Sequence, residues 1–249
     1  MLDFSRLDKL AVAKALDFSI LPKETREAEI VRGCEITRQY GFAAFYTSSS
    51  YWTPVVAREL AGMDVEIGTG IAFPFGSVPP EVKAFETEYA VRRGCTAIDL
   101  VMNIGALKDK RYQHVEEELR LFVRAAGGAV TKCILEVCYL DDEEIDTACK
   151  LIAAAGVQYA KTSTGQFEGP TLEQFLRMRE SLRETSVKLK VAGVRFPRPQ
   201  NAYVFFLAGA DRIGTRAAPE IVDALDQMRQ LGIVPSDGSR IRPQNNTPN

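Results

Sequence analysis

The 249-residue chain has one histidine, one tryptophan, no CxxC pair among its five cysteines, and no apolar run of membrane-spanning length. Each shortage excludes something. With His114 alone, a zinc centre would have to draw on carboxylates or scattered thiols, and none of these has ligand spacing, so no metal and no cofactor is expected. Three of Cys34, Cys95, Cys133, Cys138 and Cys149 sit in apolar or helical patterns, where a reduced, buried thiol is the ordinary reading. Neither sign of charge dominates: Lys+Arg 31 against Asp+Glu 33 leaves −2. That excludes a broad basic surface for nucleic acid and a strongly acidic tail, while leaving room for a local anion site. No GxGxxG or Walker-type loop follows a strand, which argues against an open dinucleotide-binding sheet. The opening stretch "MLDFSRLDKLAVAKALDFSI" carries acids and lacks a continuous apolar segment, so neither a signal peptide nor a membrane contact is predicted. The expectation is a reduced, soluble, cytoplasmic protein.

What the chain does have is 46% hydrophobic residues, enough for one substantial core. Eight short apolar or β-branched runs predict strands at 13–20, 42–47, 65–73, 97–103, 130–137, 157–163, 187–194 and 211–215. Stretches of helical period follow them at 24–39, 52–61, 80–93, 109–127, 142–155, 171–184, 200–208 and 217–231. "LDDEEIDTACKLIAAAG" is the clearest, with Asp141 or Asp142 as N-cap, acids in the first turn and Gly156 as the stop. Eight strand–helix units with no linker between them predict an α/β fold, a (β/α)8 TIM barrel formed as one domain by residues 1–235. The polar segment 236–249 is expected to be a poorly ordered tail.

In such a barrel the reacting groups stand at the C-terminal ends of the strands. Six charges lie toward the ends of predicted strands: Asp17, Asp99, Lys132, Glu136, Lys161 and Lys190. Outer strand faces are covered by helices, so these charges point into the barrel mouth or are paired in its wall. Alternation sets Lys161 and Tyr159 on one face opposite Ala160, Lys188 and Lys190 on one face opposite Leu189, and Asp99 opposite Ile98 and Leu100. Two lysines and one carboxylate in one mouth suggest amine catalysis. Burial and a neighbouring ammonium both favour the neutral amine that attacks a carbonyl. Lys161 is then the nucleophile, Lys190 the neighbour that lowers its pKa, and Asp99 the proton-transfer group. The structural alternative is a set of buried ion pairs, such as Lys132 with Glu136 or with Asp17.

Above the last three strands, Gly165, Gly193, Gly214 and Thr215 are small enough to let backbone N–H groups approach a phosphate, with Arg195, Arg198 and Arg216 as candidate cations. "GIAFPFG", residues 70–76, reads as an apolar side of the mouth or as a rigid turn. Phe42, Phe45, Tyr46, Tyr51 and Trp52 read as core or dimer contacts.

The motifs "KTSTG" (161–165), "AIDLVMNIG" (97–105) and "KCILEV" (132–137), with "GIAFPFG", Lys83 and Glu86 in order, resemble the deoxyribose-phosphate aldolase family of class I, Schiff-base aldolases. The resemblance covers most of the chain, from "LDFSILP" to "DRIGT". It implies a (β/α)8 barrel that cleaves 2-deoxy-D-ribose 5-phosphate reversibly to D-glyceraldehyde 3-phosphate and acetaldehyde. Lys161 carries the imine, Lys190 is the second active-site lysine and Asp99 the proton relay. Asp17, Lys132 and Thr162 support the network or orient substrate hydroxyls. The partners implied are small aldehydes and sugar phosphates, and a homodimer or higher homo-oligomer. Three departures concern the pocket. "KVAGVR" is one residue shorter than the family pattern, so the placement of Lys190 rather than Leu189 depends on a gap after the lysine. Phe18 and Ser19 replace a histidine–threonine pair, and Arg216 stands where serine is usual. A same-chemistry aldolase with another substrate, or a non-catalytic barrel that binds sugar phosphate, remain the alternatives.

Overall fold

The computed structural model describes residues 2–4 and 6–235; the tail expected at 236–249 lies outside the described residues. Eight parallel strands close into a barrel in sequence order: β1 (Leu16–Ile20), β2 (Ala44–Thr47), β3 (Glu66–Ile71), β4 (Ala97–Val101), β5 (Val130–Ile134), β6 (Tyr159–Lys161), β7 (Lys188–Ala192) and β8 (Arg212–Thr215). The last strand returns to the first, with Asp17 beside Gly214.

Helices cover the outside: α1 (Lys9–Ala13), α2 (Glu27–Tyr40), α3 (Thr53–Glu59), α4 (Pro80–Arg92), α5 (Ile104–Lys108), α6 (Tyr112–Ala125), α7 (Asp142–Ala155), α8 (Leu172–Ser181), α9 (Arg198–Leu207), α10 (Ala218–Asp223) and α11 (Leu225–Gln230). The caps read from sequence are in place. Asp141 and Glu144 close a capping box on α7, Thr171 and Gln174 close one on α8, and Gly156 ends α7 in the left-handed region at φ 79°.

Three features differ from expectation. Helices α1 and α5, each five residues, carry too short a pattern to register as periodic; their signals are the caps Asp8 and Asn103, whose side chains accept from Ala11 N and Ala106 N. The helix expected over 217–231 breaks at Ala224 into α10 and α11. Several strands stop earlier than their apolar runs, because a run of buried residues continues into the turn that follows. β5 ends at Ile134, and Glu136 adopts a left-handed backbone at φ 54°. It therefore belongs to the βα turn and not to the strand.

Alternation along the strands separates two environments. Outward residues such as Ile98, Leu100, Cys133, Ala160, Leu189 and Val191 merge with the helix faces into one apolar layer. Phe18 belongs to this layer, packed 5.5 Å from Phe42 and 5.6 Å from Phe45 between ring centroids, so it faces away from the mouth and does not shape the pocket. Inside the barrel the apolar residues are few: Ala44, Tyr46, Ala97 and Val130 form a small separate cluster. Beside it stand the buried charges Asp17, Asp99, Lys132, Lys161 and Lys190.

Candidate active site

The interior charges form one connected network. Lys190 Nζ lies 2.7 Å from Asp17 Oδ2 and donates to Asp99 Oδ2 at 2.8 Å, while Lys161 Nζ donates to that same Asp99 oxygen at 2.6 Å. The two amines are therefore within about 5.4 Å of each other, the limit set by their distances to the shared oxygen. Asp99 Oδ1 is buried and makes no hydrogen bond. One layer toward the N-terminal end, Lys132 Nζ donates to Asp17 Oδ2 at 3.1 Å, Glu66 Oε2 at 3.0 Å and the Tyr46 hydroxyl at 2.8 Å. Arg212 bridges Asp17 Oδ1 at 2.8 Å and Glu66 Oε1 at 3.1 Å.

Strand register explains why these groups meet. Lys161, Lys190 and Arg212 are successive neighbours across β6, β7 and β8, and Asp99 lies between Gly70 of β3 and Lys132 of β5. Each is an inward residue of its strand. Two glycines clear space for the long side chains: a Cβ on Gly68 would come within 2.4 Å of the Tyr46 ring, and one on Gly214 within 3.0 Å of Lys190 Cε. The register also resolves the one-residue gap, since Lys190 is inward while Leu189 is buried in the outer layer.

The electrostatics follow from burial opposed by partners. Burial pushes the Asp99 carboxyl up, but Lys161, Lys190 and Lys132 offset this and hold it at about 2. Asp17 is likewise raised by burial and held far lower still by Lys132, Lys190 and Arg212. Burial pulls Lys190 down to about 8, against the attraction of Asp17 and Asp99. Tyr46, raised by burial and then by the Asp99, Asp17 and Glu66 carboxylates, stays a phenol. Four basic side chains (Lys132, Lys161, Lys190 and Arg212) thus face three carboxylates (Asp17, Glu66 and Asp99). An uncompensated charge is costly in such an interior, so the cluster favours one neutral amine.

Lys161 and Lys190 floor an inner pocket of ≈ 30 Å³ that Ser19, Thr47, Phe73 and Thr164 also line, room for a water or the end of an aldehyde. It opens at the C-terminal ends of the strands into a cleft of ≈ 1020 Å³. Phe73, Pro74 and Phe75 make one wall of that cleft, the apolar side expected of "GIAFPFG". Gly165, Gly193, Gly214, Thr215 and Arg216 line it as well, together with Arg198 and Lys23, a cation that strand-end reasoning passed over because it lies in the turn after β1.

Several expected residues are placed differently. Arg195 is not among the residues lining either opening; its guanidinium donates to Glu168 Oε1 and the Gly169 carbonyl, each at 2.8 Å. Thr162 does not line the pocket either. Its hydroxyl donates to the Ala192 carbonyl at 3.3 Å and accepts from Ala192 N at 3.1 Å, stitching the end of β6 to β7. Lys132 and Asp17 are fully buried and belong to the network, one of the two roles expected of them; Asp17 also lines the inner pocket, whereas Lys132 does not. Lys132 pairs with Asp17 and not with Glu136, whose carboxylate accepts from Thr164 N and Oγ1. Tyr46, read as core or interface, lies among the interior lysines, its ring centroid 3.9 Å from Lys190 Nζ. Its inward parity, opposite Phe45, was the signal that could have found it.

Among the described residues, no group of three or more His, Cys, Asp or Glu side chains is disposed to hold a metal ion, and no helix is long and apolar enough to cross a membrane.

No family model matches the chain. Among curated proteins, it is 40% identical over 214 residues to a deoxyribose-phosphate aldolase of Geobacillus sp. (strain WCH70), spanning 85% of this chain and 95% of that one. Among solved structures, it superposes on a putative deoxyribose-phosphate aldolase from Coccidioides immitis with TM-score 0.84 at 28% identity, covering 88% of this chain and 87% of that one. It superposes on the tetrameric deoxyribose phosphate aldolase from Aeropyrum pernix with TM-score 0.81 at 25% identity, covering 89% and 93%. Identity that spans nearly the full length of a curated relative, on a barrel whose interior joins two lysines through one carboxylate, makes this chain a member of the deoxyribose-phosphate aldolase family.

Proposed function

We propose that the chain cleaves 2-deoxy-D-ribose 5-phosphate reversibly to D-glyceraldehyde 3-phosphate and acetaldehyde, through a Schiff base on Lys161. The observation that carries this is the pair of buried amines on a single Asp99 oxygen at the pocket floor. Lys161 is the better nucleophile of the two by position. It ends β6 on the mouth side and is held by one carboxylate, whereas Lys190 lies mid-strand, held by two.

In cleavage, the Lys161 ammonium passes a proton along Asp99 Oδ2 to a neutral Lys190, and the freed amine attacks the substrate aldehyde carbon. Loss of water gives the iminium. The 3-hydroxyl then loses its proton as the C2–C3 bond breaks, and the electron pair moves into the iminium to form an enamine while glyceraldehyde 3-phosphate departs. Protonation of the enamine carbon and hydrolysis release acetaldehyde and restore the amine. Asp99 stays ionised throughout the usual pH range, which suits a group that relays protons without storing one.

Trapping with acetaldehyde and borohydride, followed by peptide mass mapping, is expected to place the adduct on Lys161. An adduct on Lys190 would favour the second reading, in which the amine drawn down to about 8 is itself the nucleophile. No adduct on either would leave a non-catalytic, sugar-phosphate-binding barrel.

The phosphate is assigned to the outer cleft, near Gly165, Gly193, Gly214, Thr215 and Arg216, with Lys23 and Arg198 on the same wall. Arg216→Ser is expected to lower the preference for phosphorylated over unphosphorylated 2-deoxyribose by roughly 10-fold, the effect of one exposed charge-assisted contact. An unchanged ratio of kcat/KM values would remove Arg216 from the phosphate subsite. Four buried free thiols (Cys34, Cys95, Cys133 and Cys149) suit a reducing cytoplasm. The exposed apolar row Val82, Phe85 and Tyr89 along α4 supports a homodimer or higher homo-oligomer, which light scattering tests.

A further inference from the structure

We propose that Glu66 and Arg212, at the end of the barrel opposite the mouth, are positioning residues that act through Asp17 to set the protonation of Lys190. The inference deepens the aldolase reading above and rests on it for its catalytic consequence.

Three observations carry it. First, the network is continuous. Arg212 holds Asp17 Oδ1 at 2.8 Å, while Asp17 Oδ2 lies 2.7 Å from Lys190 and accepts from Lys132 at 3.1 Å. The two oxygens of one carboxylate thus join the barrel floor to the amine that shares Asp99 with Lys161. Second, the lower pair is balanced twice over, since Glu66 receives both Arg212 and Lys132 and so limits how much of either cation's charge falls on Asp17. Third, this end meets solvent: Arg212 is 17% exposed and Glu66 22%, and both line an opening with Lys188, Gln158 and Tyr159 on the N-terminal face. Their charges are therefore cheap to keep while those above them are dry.

Every element around Lys190 contributes to what it feels. Asp17 of β1 and Asp99 of β4 attract its charged form; Lys132 of β5 and Lys161 of β6 oppose it. The Tyr46 ring of β2 lies beneath its amine, Gly214 of β8 leaves its Cε clear, and Glu66 of β3 reaches it only through Lys132 and Arg212. Because Asp17 is a shared acceptor, its hold on Lys190 weakens when Arg212 and Lys132 are unopposed and strengthens when Arg212 is gone. The two ends of the Glu66–Arg212 pair therefore have effects of opposite sign on Lys190. Packing alone would produce no such opposition.

The experiment is an NMR titration of the lysine Cε resonances in isotope-labelled protein, with Lys190 assigned by its loss in Lys190→Arg. The wild-type midpoint is expected below the ordinary lysine value, at about 8. Glu66→Gln, which conserves volume and removes the anion, is expected to lower the midpoint by roughly one unit; Arg212→Gln is expected to raise it by roughly as much. The double variant returns it toward the wild-type value. The acidic limb of kcat/KM for cleavage, set by the neutral Lys190 that accepts the proton, should move with each midpoint. Shifts of the same sign in both single variants, or no shift in folded protein, overturn the inference. Should Arg212→Gln fail to fold, Arg212→Lys keeps the charge and should titrate like the wild type, and Glu66→Gln still carries the sign. Opposed NMR shifts with an unmoved cleavage profile would uphold the network and instead remove Lys190 from the catalytic step.

Discussion

Lys161→Ala is expected to abolish cleavage of 2-deoxyribose 5-phosphate, a loss of roughly 10⁴-fold or more in kcat, as removal of a covalent nucleophile does elsewhere. The protein should stay folded, because the deletion relieves a cluster that holds more basic groups than carboxylates. Lys161→Arg separates the two properties of the residue. It keeps a cation near Asp99, and the guanidinium is never neutral at usable pH, so it too should be inactive and take no borohydride-trapped adduct. Appreciable activity in either variant, measured with the Lys190 site intact, would show that the imine forms elsewhere. The expectation depends on position as much as on chemistry: Lys161 is 5% exposed, ends its strand and lines the inner pocket.

Lys83→Met is expected to cost about 3–5 kcal/mol of folding stability without touching Lys161 or Lys190. Lys83 on α4 and Glu118 on α6 are both fully buried, with Nζ donating to Glu118 Oε2 at 2.6 Å and to the Val101 carbonyl at 2.8 Å. Glu118 Oε1 in turn accepts from Asn103 N at 3.1 Å. The pair thus ties two helices to the end of β4, directly above Asp99. Burial pulls Lys83 below its ordinary value and pushes Glu118 up, so neither charge is comfortable alone. Without Lys83 the carboxyl rises further and binds a proton in the folded state that it does not bind when unfolded. Its penalty is therefore greatest above that raised pKa and shrinks as the pH falls through it. Denaturant unfolding at pH 8 and pH 5 should show the smaller loss at pH 5. Lys83→Met with Glu118→Gln should recover more than half of the loss, since no unpaired charge remains. A single-variant cost under about 1 kcal/mol, equal at both pH values, would mean the pair is not buried as described.

Lys83 also shows what the linear chain discloses and what it withholds. The order of Lys83 and Glu86 was visible as part of a family resemblance, but their duties were not. Lys83 pairs with a glutamate 35 positions away, and Glu86 accepts from Ala72 N at 2.8 Å, securing the turn after β3. Tyr46 was hidden for a related reason: an aromatic between Phe45 and Thr47 looks like core until closure of the barrel sets it against Lys190.

Periodicity and caps were enough to establish the eight-fold strand–helix alternation and the inward parity of Asp99, Lys161 and Lys190, because face and period are local properties of a strand. Which charges pair was beyond local reach. Lys132 has Glu136 four residues away, yet it binds Asp17 and Glu66, because the chain turns left-handed at Glu136 and barrel closure carries β1 and β3 across from β5. Depth was equally invisible. Lys188 and Lys190 share a face, but only the second lies beside Asp99, since height along the barrel axis depends on the register of all eight strands together.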